Sequence, residues 1–107
     1  MKHSKSNNSE KKAAFRRTKT WKEWRQQIAD GQNGKDAITG KRLSKMFHCH
    51  HLDMSAENYD KLIEENFICL NKQMHDTVHI LFRYYAKDPS ILEKLEKILD
   101  RMNELNI

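Results

Sequence analysis

The sequence predicts an α+β chain, mostly α, in which a two-stranded hairpin followed by a helix is flanked by N- and C-terminal helices. Three observations predict it. Gly and Pro number only 3 and 1 in 107 residues, which suits helices joined by few tight turns. Two short stretches, Met46–Leu52 running into the histidines and the compact apolar run Phe67–Leu70, have the length of strands rather than helices. Downstream, apolar residues recur at helical spacing, most clearly at Ile91, Leu92, Leu95, Ile98, Leu99, Met102 and Leu105. A composition of 37% hydrophobic and 33% charged residues points to one small domain with a modest core.

Taken along the chain, residues 1–13 are polar and too poor in apolar groups to pack, so a basic tail without order is expected over 1–17, ahead of a single domain over 18–107. A first helix is predicted near Thr20–Asp30, with Thr20 and Glu23 as a capping box and Gly31 as its stop. Trp21, Trp24 and Ile28 fall on one stripe of it and are read as core. Gln32–Asp36 is a loop, and Ala37–Leu43 is a short extended stretch turning at Gly40. Met46–Leu52 is the first strand. Ser55 caps a short helical or irregular segment, Ala56–Glu65, and Phe67–Leu70 is the partner strand. Asn71 is the expected N-cap of a helix over Lys72–Tyr85. Asp88 as cap and Pro89 at the first position open a last helix, about 88–105. Its apolar stripe either covers the core or pairs with a second copy of the chain, which would make a homodimer. No internal repeat is present.

Charge is unevenly placed. Residues 1–26 hold nine Lys/Arg and two Glu, whereas the remainder holds eleven Lys/Arg and thirteen Asp/Glu. A basic first quarter suits a polyanion such as DNA, because Lys and Arg gain affinity by releasing condensed counterions. Arg16, Arg17, Lys22 and Arg25 are the candidate phosphate contacts there. No apolar run is long enough to cross a membrane, and Met1–Ser6 leads into no apolar stretch. A cytoplasmic protein without membrane association is therefore expected. Cys49 and Cys69, without a secretory signal, are read as free thiols acting as small buried hydrophobes.

The chemistry is concentrated between His50 and His79. His75 and His79 stand four apart on a predicted helix, so their imidazoles share a face and can share a metal ion. His50 and His51 lie upstream on the predicted strand and can supply a third ligand and a base. Neutral imidazole binds transition metals, and a metal with an open position activates water. That combination points to a metal-dependent hydrolase. Strand alternation complicates it, since adjacent residues point to opposite faces. A regular strand puts His48 and His50 together, so His48 is a rival ligand. Asp53 and Asp76 could orient an imidazole, or serve as capping and solvated carboxylates. Arg83, one turn after His79, is either a phosphate clamp or a surface charge.

Strand, connection, strand and helix, with His50-His51 on the first strand, Asn66 opening the second and His75/His79 on the helix, resembles the HNH nuclease motif, also called ββα-metal. The spacing from Asn66 to His75 and the His75/His79 pair are similar to colicin-type nuclease domains, and Ile38–Leu43 is similar to the segment preceding the site in phage and bacterial HNH proteins. The resemblance covers about 36–83. It implies an HNH endonuclease hydrolysing phosphodiester bonds in DNA. His51 would be the general base, and His50, His75 and His79 would hold one divalent metal (Zn, Mn, Ni, Co or Mg). Asn66 would brace the loop and hold the His51 ring through the backbone. Many members hold a structural zinc with two Cys pairs. The matching places here are Ile38–Gly40, Asn71 and Met74, so packing from the Trp-bearing helix and the C-terminal helix is expected to replace that staple. Two other readings compete: a nucleic-acid-binding module with a non-catalytic metal site, and a metal-stapled domain that binds protein.

Overall fold

The computed structural model describes residues 3–53, 55 and 57–107, with side chains described from residue 9. Four α-helices and one antiparallel hairpin follow in the order α1 (His3–Arg16), α2 (Lys19–Gly31), β1 (His48–His51), β2 (Phe67–Leu70), α3 (Lys72–Tyr85) and α4 (Ile91–Leu105), with a 3-10 turn, Glu64–Asn66, leading into β2. The fold is thus α+β and mostly helical, compatible with a hairpin-plus-helix core. The chain divides into two compact units, residues 1–75 and 76–107. The division falls within the residues of α3.

The expected tail is helical. α1 reaches Arg16, and its last turns are half-buried on one side at Lys12, Ala13 and Phe15. Phe15 packs against Trp21 and Tyr59, with ring centroids 5.7 and 6.1 Å apart. Those long-range partners supply the burial that the local sequence lacks. The helix after it starts earlier than expected. Thr18, not Thr20, is the N-cap of α2, and its side chain accepts the Trp21 N–H at 3.1 Å. That start places Trp21 in the first turn, facing inward. Trp21, Ile28 and Ala29 then form the core with Phe67 and Cys69, and Phe15, Trp24, Leu43, Phe47, Cys49 and Leu62 pack around them. The stripe reading of Trp21, Trp24 and Ile28 holds.

The segment between α2 and β1 is a tight knuckle rather than a strand. Asn33 and Gly34 take left-handed φ values of 58° and 69° to leave the helix, and Gly40 takes 70° at the turn. The Lys35–Arg42 bridge pairs across it, and the Asp36 and Leu43 N–H groups donate to the Lys41 and Gly34 carbonyls, each at 2.8 Å. Gln32 acts as a substitute strand: its amide accepts the Cys69 N–H at 2.8 Å and donates to the Cys69 carbonyl at 3.0 Å, satisfying the outer edge of β2.

β2 and α3 occupy the residues the sequence predicts, and β1 is the core of its predicted strand. Asn71 does not cap α3 with its side chain as expected. Its carboxamide oxygen accepts the Ser44 N–H at 2.8 Å and its amino group donates to the Arg42 carbonyl at 3.0 Å, fixing the knuckle to the start of α3. At α4 the N-cap is Ser90, whose N–H and hydroxyl both donate to the Asp88 carboxylate. Asp88 therefore still organises the helix start, from two residues before the cap.

In the second unit, Val78, Leu81, Phe82, Tyr85 and Leu92 line an apolar groove. The α4 stripe stays open: Ile98, Leu99, Met102 and Leu105 are all more than half exposed. Among the described residues, the core cluster holds none from α4. Within the first unit, the knuckle's hydrogen bonds to Asn71 tie it to the start of α3. Among the described residues, no helix is long and apolar enough to cross a membrane.

Candidate metal centre

The hairpin register decides which histidines meet. His48 pairs with Leu70, Cys49 with Cys69, His50 with Ile68 and His51 with Phe67. The strand stays regular through all four residues, so side chains alternate. His48 and His50 both meet His75 of α3. The His48 ring stacks on it at 4.3 Å with planes 14° apart, and the His50 ring stands edge-on at 5.3 Å and 78°.

His79 follows one turn after His75 on α3 and completes a set. His50, His75 and His79 each offer a ring nitrogen, and these atoms all lie within 4.8 Å of one another. All three are half-buried. Metal–nitrogen bonds of about 2.0–2.1 Å hold tetrahedral ligands close to this separation, and small side-chain rotations close the remainder. Three neutral imidazoles leave a divalent ion its full charge and, in tetrahedral geometry, one position for water or substrate. His48, the rival ligand, stands outside this set and instead lies flat on the ring of His75, where it restricts that ligand's orientation. The donor set therefore fits a divalent transition metal.

His51 lies on the other face. It is 5% exposed, sandwiched between Tyr59 at 3.8 Å and Trp21 at 4.9 Å, with Phe67 edge-on at 4.6 Å. Its Nε2 lies 3.0 Å from the Tyr59 carbonyl. A carbonyl only accepts, so Nε2 carries the proton and Nδ1 the lone pair. Burial lowers the His51 pKa below the ordinary imidazole value, against an opposing contribution from that hydrogen bond. The side chain is neutral and basic in form, but it is covered. The resemblance implies that Asn66 holds this ring through the backbone. Here Tyr59 does so, and the Asn66 carbonyl accepts the Leu52 N–H at 2.8 Å, bracing the hairpin end.

Tyr59 carried no signal in the sequence, yet it connects the covered histidine to α1. Its hydroxyl is 2.6 Å from a guanidinium nitrogen of Arg16, which donates to it, and the Lys12 ammonium lies 5.1 Å from its ring centroid. Two of the expected phosphate contacts are thereby engaged within the fold. Arg16 holds Tyr59, and Arg25 lies over the Phe47 ring at 3.8 Å while donating to the Phe47 carbonyl. Arg17 and Lys22 are exposed. Arg83 is also exposed and lines a small surface pocket with Ile80, Tyr84 and Lys87. Asp53 caps its own turn, accepting the Ser55 N–H and the Asn58 side-chain amide, each at 3.0 Å, and these bonds hold its pKa low.

The two thiols stand opposite each other in the hairpin register. The neighbouring Cys69 thiol and burial push the Cys49 thiol upward, while the proximity of Cys49 lowers Cys69.

No protein-family model, no curated protein and no solved structure matches this chain.

Proposed function

We propose that this protein is a metal-dependent endonuclease of the HNH type that hydrolyses phosphodiester bonds in DNA. The observation that carries the reading is the convergence of His50, His75 and His79 from one hairpin and the following helix. The polar sequence pattern around them, His51 and Asn66 included, agrees with it. His50, His75 and His79 would hold one divalent ion, and a bound ion would stabilise charge developing on the scissile phosphate. His51 would take a proton from the attacking water at Nδ1, the nitrogen not committed to Tyr59. That role requires Tyr59 to leave the ring and the end of β1 to distort, so that His51 turns to the face of the metal set. Arg17 and Lys22 would grip the phosphate backbone without reading sequence.

A second reading has a specific observation in its favour. The burial of His51 suits a nucleic-acid-binding module in which the metal is held but no base is in reach.

Plasmid cleavage by purified protein, stripped of metal and re-supplied with Mg, Mn, Co, Ni or Zn in turn, separates the two. Metal-dependent nicking or linearisation that is abolished by His51→Ala, with the circular dichroism spectrum retained, supports the nuclease. Tight metal and DNA binding with no cleavage under any ion supports the binding module.

A further inference from the structure

Cys49 and Cys69 face each other directly across the β1–β2 ladder. Antiparallel ladders alternate between hydrogen-bonded pairs and non-bonded pairs, whose side chains approach more closely. The Leu52 N–H donates to the Asn66 carbonyl at 2.8 Å, which makes that pair a bonded one. Counting along the register, His51–Phe67 is non-bonded, His50–Ile68 bonded and Cys49–Cys69 non-bonded. The backbone of Cys69 agrees. Its N–H goes to the Gln32 side chain, and its carbonyl accepts from Gln32 and from Ala37 N–H, all on the edge away from β1.

In a non-bonded pair the Cα atoms stand about 4.5 Å apart, within the roughly 4.4–6.8 Å over which a disulfide closes without backbone movement. Both residues are free thiols, and the Cys69 thiol donates to the Arg25 carbonyl at 3.7 Å. Cys49 is half-buried and within reach of a small oxidant, whereas Cys69 is fully buried behind it.

We propose that Cys49 and Cys69 form an oxidation site, a dithiol that hydrogen peroxide converts to a reversible cross-strand disulfide. Access rather than acidity sets the order, because Cys69 is fully covered: the Cys49 sulfur, although its raised pKa slows it, attacks one peroxide oxygen and the O–O bond breaks, giving a sulfenic acid and one water. The Cys69 sulfur then attacks the Cys49 sulfur. The S–S bond forms, the S–O bond breaks, and a second water leaves with the remaining thiol hydrogen. Two electrons pass from the thiols to the peroxide, and a dithiol reductant returns them. The bond staples β1, which carries His50, to β2, which leads through Asn71 into α3. Because no strand has to move, the staple strengthens the hairpin in its present register.

The test is peroxide treatment of the reduced full-length chain, followed by non-reducing peptide mapping and thermal melting. The expected result is a peptide linked through Cys49 and Cys69, no titratable thiol, full reversal by dithiothreitol, and a melting temperature higher by roughly 10 °C than that of the reduced chain. Oxygen gained at either cysteine without a linked peptide overturns the proposal, as does a disulfide formed only between chains. An oxidised chain that melts no higher than the reduced one overturns the staple. In Cys49→Ser, Cys69 is expected to stay a thiol at the same dose. Its oxidation there at the same rate would overturn the order of attack.

Discussion

The Asp36 carboxylate accepts the Asn71 backbone N–H at 2.8 Å, thirty-five residues away in sequence. Its other oxygen takes the N–H groups of Ile38 and Thr39 at 2.8 and 2.9 Å. Asp36 is 2% exposed, so this one side chain closes the knuckle and fastens it to the residue preceding α3. A buried carboxylate is tolerated because three backbone donors satisfy it.

Replacing Asp36 should therefore be costly. Burial alone would raise its pKa, but the bonds from Thr39, Asn71 and Ile38 outweigh burial and lower it. A carboxylate with a lowered folded pKa contributes stability above its unfolded pKa of about 3.9 and loses it as pH falls through the folded value. Asp36→Asn should destabilise the chain by about 3 kcal/mol at neutral pH, since it turns one acceptor into a donor facing an N–H. Denaturant melts across pH check this. The difference from wild type should be flat above about pH 5 and shrink below about pH 4; a difference independent of pH down to the acid limit would sink the account.

The metal set makes a second prediction. His50→Ala, His75→Ala and His79→Ala should each weaken Co(II) or Zn(II) binding by more than about 100-fold, while His48→Ala should cost about tenfold or less, because His48 orients a ligand rather than providing one. Equal losses for His48 and the other three, measured by metal competition on folded proteins, would place His48 among the ligands.

Tyr59 controls His51. Tyr59→Ala should uncover the ring, remove its desolvation and move its titration midpoint up toward about 6.5, at a stability loss of about 3 kcal/mol. An NMR titration of the His51 ring reads this directly. A midpoint that stays low in the folded variant would show that the covering ring is not the cause.

The basic residues should separate by their contacts. On the proposed nuclease reading, Arg17→Gln and Lys22→Gln should leave stability unchanged and reduce the salt slope of DNA binding by about one each. Arg25→Ala should instead lower stability by about 1–2 kcal/mol, through loss of its hold on Phe47. Fluorescence anisotropy at several salt concentrations, beside thermal melts, distinguishes the two behaviours.

The sequence by itself determined the elements whose signals are local. Phe67–Leu70 is an apolar run of strand length, and Lys72–Tyr85 carries a helical period, so β2 and α3 fall where expected. The four-residue spacing places His75 and His79 on one face whatever surrounds them. Strand alternation likewise announces that His48 and His50 share a face, which is why His51 could not join them on a regular strand.

Tertiary structure decided the rest, because each remaining choice depends on a partner distant in the chain. Whether His51 faced water or the core was set by Trp21 and Tyr59. Which threonine capped α2 depended on bringing Trp21 inward, and whether α1 formed depended on a pocket for Phe15. Asp36 and Asn71 read locally as a loop acid and a helix cap, and they became a clasp only once β2 brought their segments together. The Cys49–Cys69 pairing was decided the same way. Periodicity gives each residue a face, but the phase of that face relative to the core is a long-range quantity, fixed by packing.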